Sequence, residues 1–283
     1  MNYLITGGAG FIGSNIVKKL LENNDCKVFV VDDLSAGINN LEKVQNDRLV
    51  FHKNDIREED FMKKVFASCN PDIVIHAACR SVVRGEESPF EDVTVNALGT
   101  LKMLKLSDEF NVTKFIYCSS ASIYGDMSNK EYLTEECLPY PSSHYAISKL
   151  AGEHYTKLYS QEKMKTVSLR YFNVYGPGQN RDSIYGGVIP IFINNCLTDS
   201  DLLIYGDGNQ TRDFTFIDDV VKATLFVATN ECDQSVLNIG SGINTTIVHL
   251  AKVVKDLSGK SSNIKFVKNR IIDNVKHRKA SIA

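Results

Sequence analysis

A glycine-rich turn between the first strand and the first helix restricts the fold of this chain more than any other feature. Gly7, Gly10 and Gly13 follow the β-rich run Asn2–Thr6, and helical spacing of apolar residues begins at Phe11. A tight turn, a close backbone approach to a pyrophosphate and close helix packing each require a residue without a side chain. The helix N-terminus then offers free N–H groups to phosphate. We therefore predict an α/β fold that binds a dinucleotide at this turn.

Continuous apolar strands alternate with helices through the first half of the chain. The pattern predicts strands at 2–6, 27–32, 49–52, 72–76, 114–119 and 166–171, and helices at 11–21, 58–67, 90–110 and 144–160. Such alternation indicates a Rossmann-type doubly wound parallel sheet with helices on both faces. Beyond residue 175 turn residues become frequent and the pattern is irregular. We predict a nucleotide-binding domain at 1–175, to which 207–240 returns, and a smaller C-terminal substrate-binding lobe at 176–283.

Composition and charge argue against several classes of partner. The chain has 283 residues, of which 43% are hydrophobic, so it can bury a sizeable core. Its formal net charge of −2 gives no electrostatic reason to expect nucleic acid or an anionic membrane. The sequence contains no run of about 18 apolar residues, so no membrane span is predicted. The cysteines are scattered without a C-x-x-C pair, so we expect no metal site, and reduced thiols in a cytoplasmic protein.

An acidic pair ends the second predicted strand. Asp32 and Asp33 lie about 20 residues beyond the glycine turn, where an acidic residue accepts hydrogen bonds from ribose hydroxyls and repels a 2′-phosphate. This position predicts NAD rather than NADP. The alternative interpretation is an acid that caps the following turn. Asp55 and Ile56, after the third strand, are candidate adenine contacts.

A tyrosine and a lysine share one face of the predicted helix at 144–160. Tyr145 and Lys149 are four residues apart, and a nearby ammonium favours the phenolate, so the pair predicts a general base near neutral pH. Taken alone, the spacing is more typical of a surface helix. The serines at Ser119 and Ser120 lie upstream at the end of a strand. Together with the dinucleotide turn, these groups suggest hydride transfer at a carbinol carbon.

Seven runs of residues occur in one order along nearly the whole chain. They are TGGAGFIGS (6–14), VNALGT (95–100), SSASIYG (119–125), YAISK (145–149), RYFNVYGPGQ (170–179), GDGNQTRDFTFIDDV (206–220) and LNIGSG (237–242). With these runs the chain resembles the extended short-chain dehydrogenase/reductases, and among them the NAD-dependent NDP-sugar epimerases similar to UDP-glucose 4-epimerase. The resemblance implies an isomerase that binds NAD and a UDP-sugar.

The resemblance also implies roles for individual residues. The catalytic residues are Tyr145, Lys149 and Ser120, although Ser120 could also be a satisfied hydroxyl at a strand end. The implied cofactor contacts are Gly7, Gly10, Phe11, Ile12, Gly13, Asp32, Asp33, Asp55, Ile56, Ala77, Ala78 and Lys149. The implied substrate contacts are Ser122, Tyr145, Asn173, Val188, Arg212, Arg270 and Asp273. The two arginines would clamp the UDP phosphates, a role that suits the planar guanidinium fork.

Comparison with related enzymes favours one reaction. Related 4,6-dehydratases carry an Asp-Glu pair where this chain has Ala121 and Ser122, and UDP-glucuronate decarboxylases typically carry Glu at the position of Ser122. Neither Ala121 nor Ser122 has the acid or base strength that elimination of water requires. We therefore expect epimerisation at C4 of a UDP-hexose through a transient 4-keto sugar. The alternatives are a dehydratase, a decarboxylase, or a non-catalytic protein that binds NAD and a nucleotide sugar.

Several points stay open. The family position that limits space around the sugar 2-substituent falls on His277 or Arg278, so UDP-glucose and UDP-N-acetylglucosamine both remain candidates. Compared with the family's pattern, the run that begins at Arg80 follows Cys79 one residue early. Gly85 stands where the family commonly has a serine. The substrate lobe is expected to lack the family's C-terminal end. The helices at 90–110 and 144–160 pair in homodimers of the family.

Overall fold

The structure is a computed structural model that describes residues 1–127, 129–161, 163–180, 187–268 and 275–282. Its strands are β1 (Asn2–Thr6), β2 (Lys27–Asp32), β3 (Leu49–Lys53), β4 (Ile73–His76), β5 (Lys114–Ser120), β6 (Lys165–Tyr171), β7 (Val174–Tyr175), β8 (Leu202–Tyr205), β9 (Thr211–Arg212), β10 (Thr215–Phe216), β11 (Val236–Ile239), β12 (Thr245–Thr246) and β13 (Ile264–Val267). Its α-helices are α1 (Phe11–Leu21), α2 (Glu59–Cys69), α3 (Val82–Glu87), α4 (Pro89–Asp92), α5 (Thr100–Glu109), α6 (His144–Leu158), α7 (Val188–Leu197), α8 (Ile217–Thr229) and α9 (Ile247–Ser258). A π-helical segment covers Val93–Gly99, and a 3-10 turn covers Ala121–Tyr124.

Seven parallel strands form the central sheet. They lie in the order β11-β6-β5-β4-β1-β2-β3, and each neighbouring pair is parallel. The strand order reverses between β1 and β4, which opens a crevice at the carboxyl ends of these strands. This topology confirms the predicted doubly wound sheet. The edge strand β11 comes from the region 207–240, while the predicted domain boundaries stay a prediction.

Strand β1 is buried on both of its faces. The neighbouring residues Leu4 and Ile5 point to opposite sides of the sheet, and each is 0% exposed. Ile5 belongs to the core that includes Ile16 and Val17 of α1. Leu4 belongs to the second core, which includes Phe66 of α2. The continuous apolar run therefore forms a central strand between two helix layers, as its pattern indicates.

The predicted single helix at 90–110 is wrong in its middle. The segment Val93–Gly99 between α4 and α5 is π-helical. Here the Thr100 hydroxyl donates to the carbonyl of Asn96 at 2.6 Å. Gly99 faces Ile56, and a Cβ on this glycine would lie 2.7 Å from the Ile56 Cδ1. An inserted residue widens the turn and reorients its side chains, an effect that apolar spacing does not reveal.

The region predicted as the substrate lobe contains a smaller core. Strands β8 and β13 form a parallel pair, and helices α7 and α9 pack beside them. Its buried residues are Phe192, Cys196, Leu202, Ile204, Ile247, Leu250 and Ala251. The strand pairs β10 with β7 and β12 with β9 complete the small sheets of the described chain.

The length and the apolar character of the helices bear on membrane insertion. Within the described ranges, none of the helices combines the length and the apolar character needed to cross a bilayer. The finding agrees with the absence of a long apolar run in the sequence.

Candidate active site

A cleft with a volume of about 340 Å³ opens at the carboxyl edge of the sheet. The glycine turn, the ends of β2, β4 and β5, and helix α6 form its walls. The sequence-predicted residues that line it are Gly7, Gly10, Phe11, Ile12, Gly13, Asp32, Asp33, Asp55, Ile56, Ala77, Ala78, Tyr145 and Lys149. The fold thus brings the proposed cofactor residues and the tyrosine–lysine pair into one cavity.

The glycine turn is too closely packed to accept side chains. Gly7 has a φ of +68°, and a Cβ on it would lie 2.5 Å from the backbone nitrogen of Ala78. A Cβ on Gly13 would lie 2.3 Å from the carbonyl oxygen of Gly7. The turn therefore leaves its backbone bare beside the N-terminus of α1, which fits the pyrophosphate of a dinucleotide.

Asp32 is a buried carboxylate at the end of β2. Its Oδ2 accepts a hydrogen bond from the Ala9 N–H at 2.9 Å, and its Oδ1 accepts one from the Leu34 N–H at 2.8 Å. Burial raises the pKa of Asp32, and these backbone hydrogen bonds oppose that rise. Asp32 therefore braces the glycine turn and the following loop, as the capping interpretation expects, while it also lines the cleft.

Asp55 forms an ion pair that sequence inspection did not reveal. Its Oδ2 lies 2.6 Å from the Arg57 Nη2. Burial raises the pKa of Asp55, but hydrogen bonds from Arg57 outweigh this effect and lower it overall. The adjacent Ile56 is buried against Gly99 and lines the same part of the cleft.

The three candidate catalytic side chains meet at the end of β5. Helix α6 begins after Ser143, whose side chain accepts the Ala146 N–H at 3.1 Å. The Lys149 Nζ lies 5.8 Å from the centroid of the Tyr145 ring. The Ser120 side chain hydrogen-bonds to the Tyr145 side chain.

The amine of Lys149 has a second anchor. Lys149 is 1% exposed, and its Nζ donates to the carbonyl of Cys118 at 2.8 Å. The Ser120 hydroxyl also donates to the Ser122 Oγ at 3.1 Å and accepts the Ser122 N–H at 3.1 Å. Both polar partners of Tyr145 are therefore held by strand β5 and by the turn that follows it.

Burial dominates the acidity of Tyr145. It raises the pKa of the phenol above its ordinary value, while the Lys149 ammonium and the Ser120 hydroxyl lower it. Lys149 acts in the predicted direction, and a general base near neutral pH stays a prediction. The spacing of the two residues revealed their contact and not the apolar enclosure around them.

A buried polar cluster supports α6 from behind. Asp92 is 0% exposed, and its carboxylate accepts hydrogen bonds from the Ser148 hydroxyl at 2.5 Å and from the Asn96 amide at 2.8 Å. Asn96 also accepts the Arg80 N–H at 2.8 Å. The cluster ties the π-helical segment to the helix that carries Tyr145.

The predicted substrate contacts lie apart from the cofactor turn. Ser122 is in the 3-10 turn, and Val188 begins α7. The Asn173 carbonyl accepts the Thr215 N–H at 3.0 Å, and the Arg212 Nη1 donates to the Thr211 carbonyl at 2.8 Å. Arg270 and Asp273 lie outside the described residues.

The two residues left open for the sugar position point in different directions. The His277 Nδ1 lies 3.1 Å from the Thr211 hydroxyl, and the Arg278 Nη2 donates to the carbonyl of Gly125 at 3.2 Å. Arg278 therefore contacts the loop that follows the 3-10 turn of Ser122, and His277 contacts β9.

The possible metal-ligating side chains do not form clusters in the described ranges. In the ranges that the structure describes, no group of three or more histidine, cysteine, aspartate or glutamate side chains could hold a metal ion.

The fold and the cleft define a dinucleotide-dependent enzyme of the extended short-chain dehydrogenase/reductase type. The profile of the NAD dependent epimerase/dehydratase family matches residues 3–240. A putative UDP-glucose 4-epimerase of Methanocaldococcus jannaschii is 40% identical over 258 residues, which cover 89% of this chain and 81% of that protein. The chain belongs to the NAD dependent epimerase/dehydratase family, whose cofactor is NAD.

Solved structures agree with this assignment. UDP-glucose 4-epimerase of Thermotoga maritima, solved with UDP-glucose, has a TM-score of 0.92 and 36% identity, covering 99% of this chain and 90% of that one. UDP-glucuronic acid 4-epimerase of Bacillus cereus, solved with UDP-glucuronic acid and NAD, has a TM-score of 0.89 and 33% identity, covering 100% and 90%. These relatives are isomerases, and they differ in the sugar that they bind.

Proposed function

We propose that this protein epimerises C4 of a UDP-hexose through a transient 4-keto sugar. The observation that carries the proposal is the pairing of Tyr145 and Lys149 in a cleft that begins at a dinucleotide turn, with the Ser120 side chain hydrogen-bonded to Tyr145. Bound NAD would supply the redox step. Elimination of water needs a second general acid or base, and neither Ala121 nor Ser122 can act as one. This favours epimerisation over elimination.

Each catalytic side chain has a distinct role in the proposal. Tyr145 takes the proton of the sugar 4-hydroxyl and gives it back from its phenol oxygen. Lys149 stabilises the phenolate by its charge, since its ammonium lowers the pKa of that phenol. Ser120 donates a hydrogen bond to the reacting oxygen and shares its hydroxyl with Tyr145 in the absence of sugar. Enclosure of the pair keeps bulk water from the proton-transfer site.

In this proposal the cofactor residues bind successive parts of NAD along the cleft. The glycine turn with Phe11 and Ile12 holds the pyrophosphate at the N-terminus of α1. Asp32, with Asp33, accepts the adenosine ribose hydroxyls. The adenine end lies against Asp55 and Ile56, and the nicotinamide end against Ala77, Ala78 and Lys149. The order follows the cleft lining from β3 to β5.

The substrate residues are assigned to the nucleotide sugar. In the proposal Ser122 and Asn173 contact the sugar and its diphosphate, Val188 contacts the nucleotide, and Arg212 holds a phosphate. Arg270 shares this proposed role, and Asp273 is a further proposed contact to the nucleotide sugar. We further propose a homodimer in the cytoplasm, where thiols such as the exposed Cys79 stay reduced.

Direct product analysis tests the proposed reaction. Purified protein with NAD is incubated with UDP-glucose, UDP-N-acetylglucosamine or UDP-glucuronate, and the sugar anomeric protons are followed by NMR. Conversion to a galacto epimer in any tube supports the proposal. A 4-keto-6-deoxy sugar would instead indicate a dehydratase, and a pentose product a decarboxylase.

Replacement of the proposed base tests its role in turnover. We expect Tyr145→Phe to reduce turnover by about 100-fold or more, because proton transfer is lost, while UDP affinity is kept. Unchanged turnover in this variant would contradict the assignment. NAD and UDP binding without any turnover in the parent protein would favour the non-catalytic alternative.

A further inference from the structure

Ser119 is the member of the serine pair that the proposed reaction does not use. It is 3% exposed, and its hydroxyl donates to the Glu153 Oε1 at 2.5 Å. Glu153 lies on α6, about one turn beyond Lys149. The neighbouring Ser120 contacts the same helix through the side chain of Tyr145. The end of β5 is therefore attached to α6 at two points.

The two points of attachment are well separated along α6. Tyr145 and Glu153 lie near opposite ends of this helix, at a separation of about 12 Å for the ideal helical rise. A single contact would let the strand end turn about it, whereas two contacts fix both its distance from the helix and its direction. The hydrogen bond of Ser119 thus restricts where Ser120 can lie.

The Glu153 carboxylate is itself held by an ion pair with Arg170 of β6. The Arg170 Nη2 donates to the Glu153 Oε2 at 2.9 Å, and the Nε donates to the Oε1 at 3.1 Å. The side chains of Arg170 and Glu153 are 6% and 5% exposed. The register of β5 and β6 places Arg170 opposite Ser119. Both carboxylate oxygens are engaged, so Glu153 is suited to anchor the strand end rather than to move protons.

Arg170 also holds the turn that follows Ser120. Its Nη1 donates to the Tyr124 hydroxyl at 2.8 Å, and Tyr124 is the last residue of the 3-10 turn that begins after Ser120. The Tyr124 hydroxyl in turn donates to the Asn238 Oδ1 of β11 at 2.7 Å. One guanidinium therefore holds the chain both before and after Ser120.

Positioning explains this buried ion pair better than stability does. The cost of desolvating two charges cancels much of their attraction, so a well-packed apolar pair would often stabilise a fold as well. A fully hydrogen-bonded buried network, in contrast, makes the arrangement of its members rigid. Burial lowers the pKa of Arg170, but the bonds to Glu153 and Tyr124 outweigh this effect and raise it overall, so the guanidinium stays charged.

We propose that the buried Glu153–Arg170 pair positions the Ser120 hydroxyl for proton transfer. Ser119 is the link, and all three positioning residues act through Ser120 rather than on the reacting atoms. This inference rests on the proposed function, since it concerns the same proton-transfer site. Loss of the link should leave binding intact and slow the chemical step, because a displaced hydroxyl no longer meets the reacting oxygen in the productive geometry.

Ser119→Ala tests the inference, because it removes the link and leaves the Glu153–Arg170 pair intact. Ser119→Thr keeps a hydroxyl at this position and is the conservative variant. Ser107→Ala is the matched control. Ser107 is 0% exposed, and its hydroxyl donates to the carbonyl of Met103 at 2.7 Å within α5, so the same group is lost from a buried site outside the cleft.

The measurements use the NAD-loaded full chain. The kcat and KM of each protein are determined with the nucleotide sugar that the parent converts, whichever product it forms, and calorimetry gives the affinity for UDP. Circular dichroism and urea unfolding show that each variant is folded and how much stability it has lost.

We expect Ser119→Ala to lower kcat by about 10- to 100-fold, with KM and UDP affinity within about two-fold of the parent. Ser119→Thr should recover most of the lost kcat, and Ser107→Ala should keep the kcat of the parent. A parent-like kcat in Ser119→Ala, or a loss confined to KM, would overturn the proposal. An equal loss in Ser119→Thr or in Ser107→Ala would assign the effect to packing and overturn it as well.

The two proposals fail in different ways. A product other than a galacto epimer would refute C4 epimerisation, while a kcat that is lost in Ser119→Ala and recovered in Ser119→Thr would leave the positioning role standing. Epimerisation that is indifferent to Ser119→Ala would do the opposite. A parent protein that converts no nucleotide sugar would refute both.

Discussion

At the scale of single residues, burial sets the chemistry of the site. Tyr145 and Lys149 could be paired from their spacing, and Asp32 could be placed from its distance to the glycine turn. Their enclosure could not be predicted, because it comes from chain segments far away in sequence. The same holds for the partners of Asp92 and for the contact of Arg278 with the carbonyl of Gly125. A linear pattern reports which residue types are present and not what surrounds them.

Removal of the Lys149 charge should shift the pH profile of activity. The Lys149 ammonium lowers the pKa of Tyr145 against the effect of burial. In Lys149→Met the phenol pKa should therefore rise further, by about 1 unit or more. The acidic limb of the kcat/KM profile should move to higher pH, because the phenolate is the active form. An acidic limb that stays in place would show that Lys149 does not tune this tyrosine.

His76 should make the fold sensitive to acid. Its ring lies between the hydroxyls of Thr6 at 2.6 Å and Thr100 at 3.0 Å, and burial lowers its pKa from 6.5 to about 3. Between these values the unfolded chain binds a proton that the folded chain does not bind. The free energy of unfolding should therefore fall as pH drops below 6.5, by about 1.4 kcal/mol per pH unit.

The variant His76→Gln tests this contribution. It keeps a hydrogen-bonding side chain and has no titration in this range, so the pH slope of stability should be shallower by that amount. Urea unfolding of both proteins at pH 5, 6 and 7 measures the slope, whatever the absolute cost of the substitution. Parallel slopes would mean that His76 is protonated in the folded protein.

At the scale of elements, the regular parts could be predicted and the distortions could not. The bounds of β1, β2 and α1 follow from apolar periodicity and agree with the structure. In the π-helical segment Gly99 packs against Ile56, a contact between distant parts of the chain that no local pattern marks. Two-residue strands such as β9 exist only through their partners, so no local pattern marks them.

The packing between the glycine turn and α1 gives a testable prediction. An alanine Cβ at position 13 would lie 2.3 Å from the Gly7 carbonyl oxygen, so Gly13→Ala should push the helix from the turn. We expect a loss of stability of about 1–3 kcal/mol and weaker NAD binding. Urea unfolding and NAD titration measure both effects.

The control for this prediction is Gly37→Ala. A Cβ there meets nothing within 4 Å, although the φ of +74° adds backbone strain. That variant should lose about 1 kcal/mol of stability and keep its NAD affinity. Equal NAD affinities for the two variants would contradict the importance of the turn.

At the scale of the whole molecule, the helices beside the cleft present apolar side chains to solvent. Phe90 is 89% exposed and Ile147 is 54% exposed, and both lie on the α4–α6 side of the sheet. If the proposed homodimer uses this side, Ile147→Glu should raise the dimer dissociation constant by about 10-fold or more, because a charge would be buried. Sedimentation velocity over a concentration series measures the change.

A surface far from these helices provides the control. Phe226 of α8 is 65% exposed, so Phe226→Glu introduces the same charge elsewhere. It should leave association unchanged. A parent protein that stays monomeric at high micromolar concentration would contradict the proposed dimer.

The strand order also governs how the chain is completed during synthesis. Strand β6 ends at residue 171, but its outer neighbour β11 begins at residue 236, after α7, β8 and α8 have been made. Until the ribosome has delivered that stretch, β6 is an open edge with unpaired backbone groups, the kind of edge that recruits other chains. The nascent protein is therefore most exposed to aggregation while the stretch between β6 and β11 is being translated.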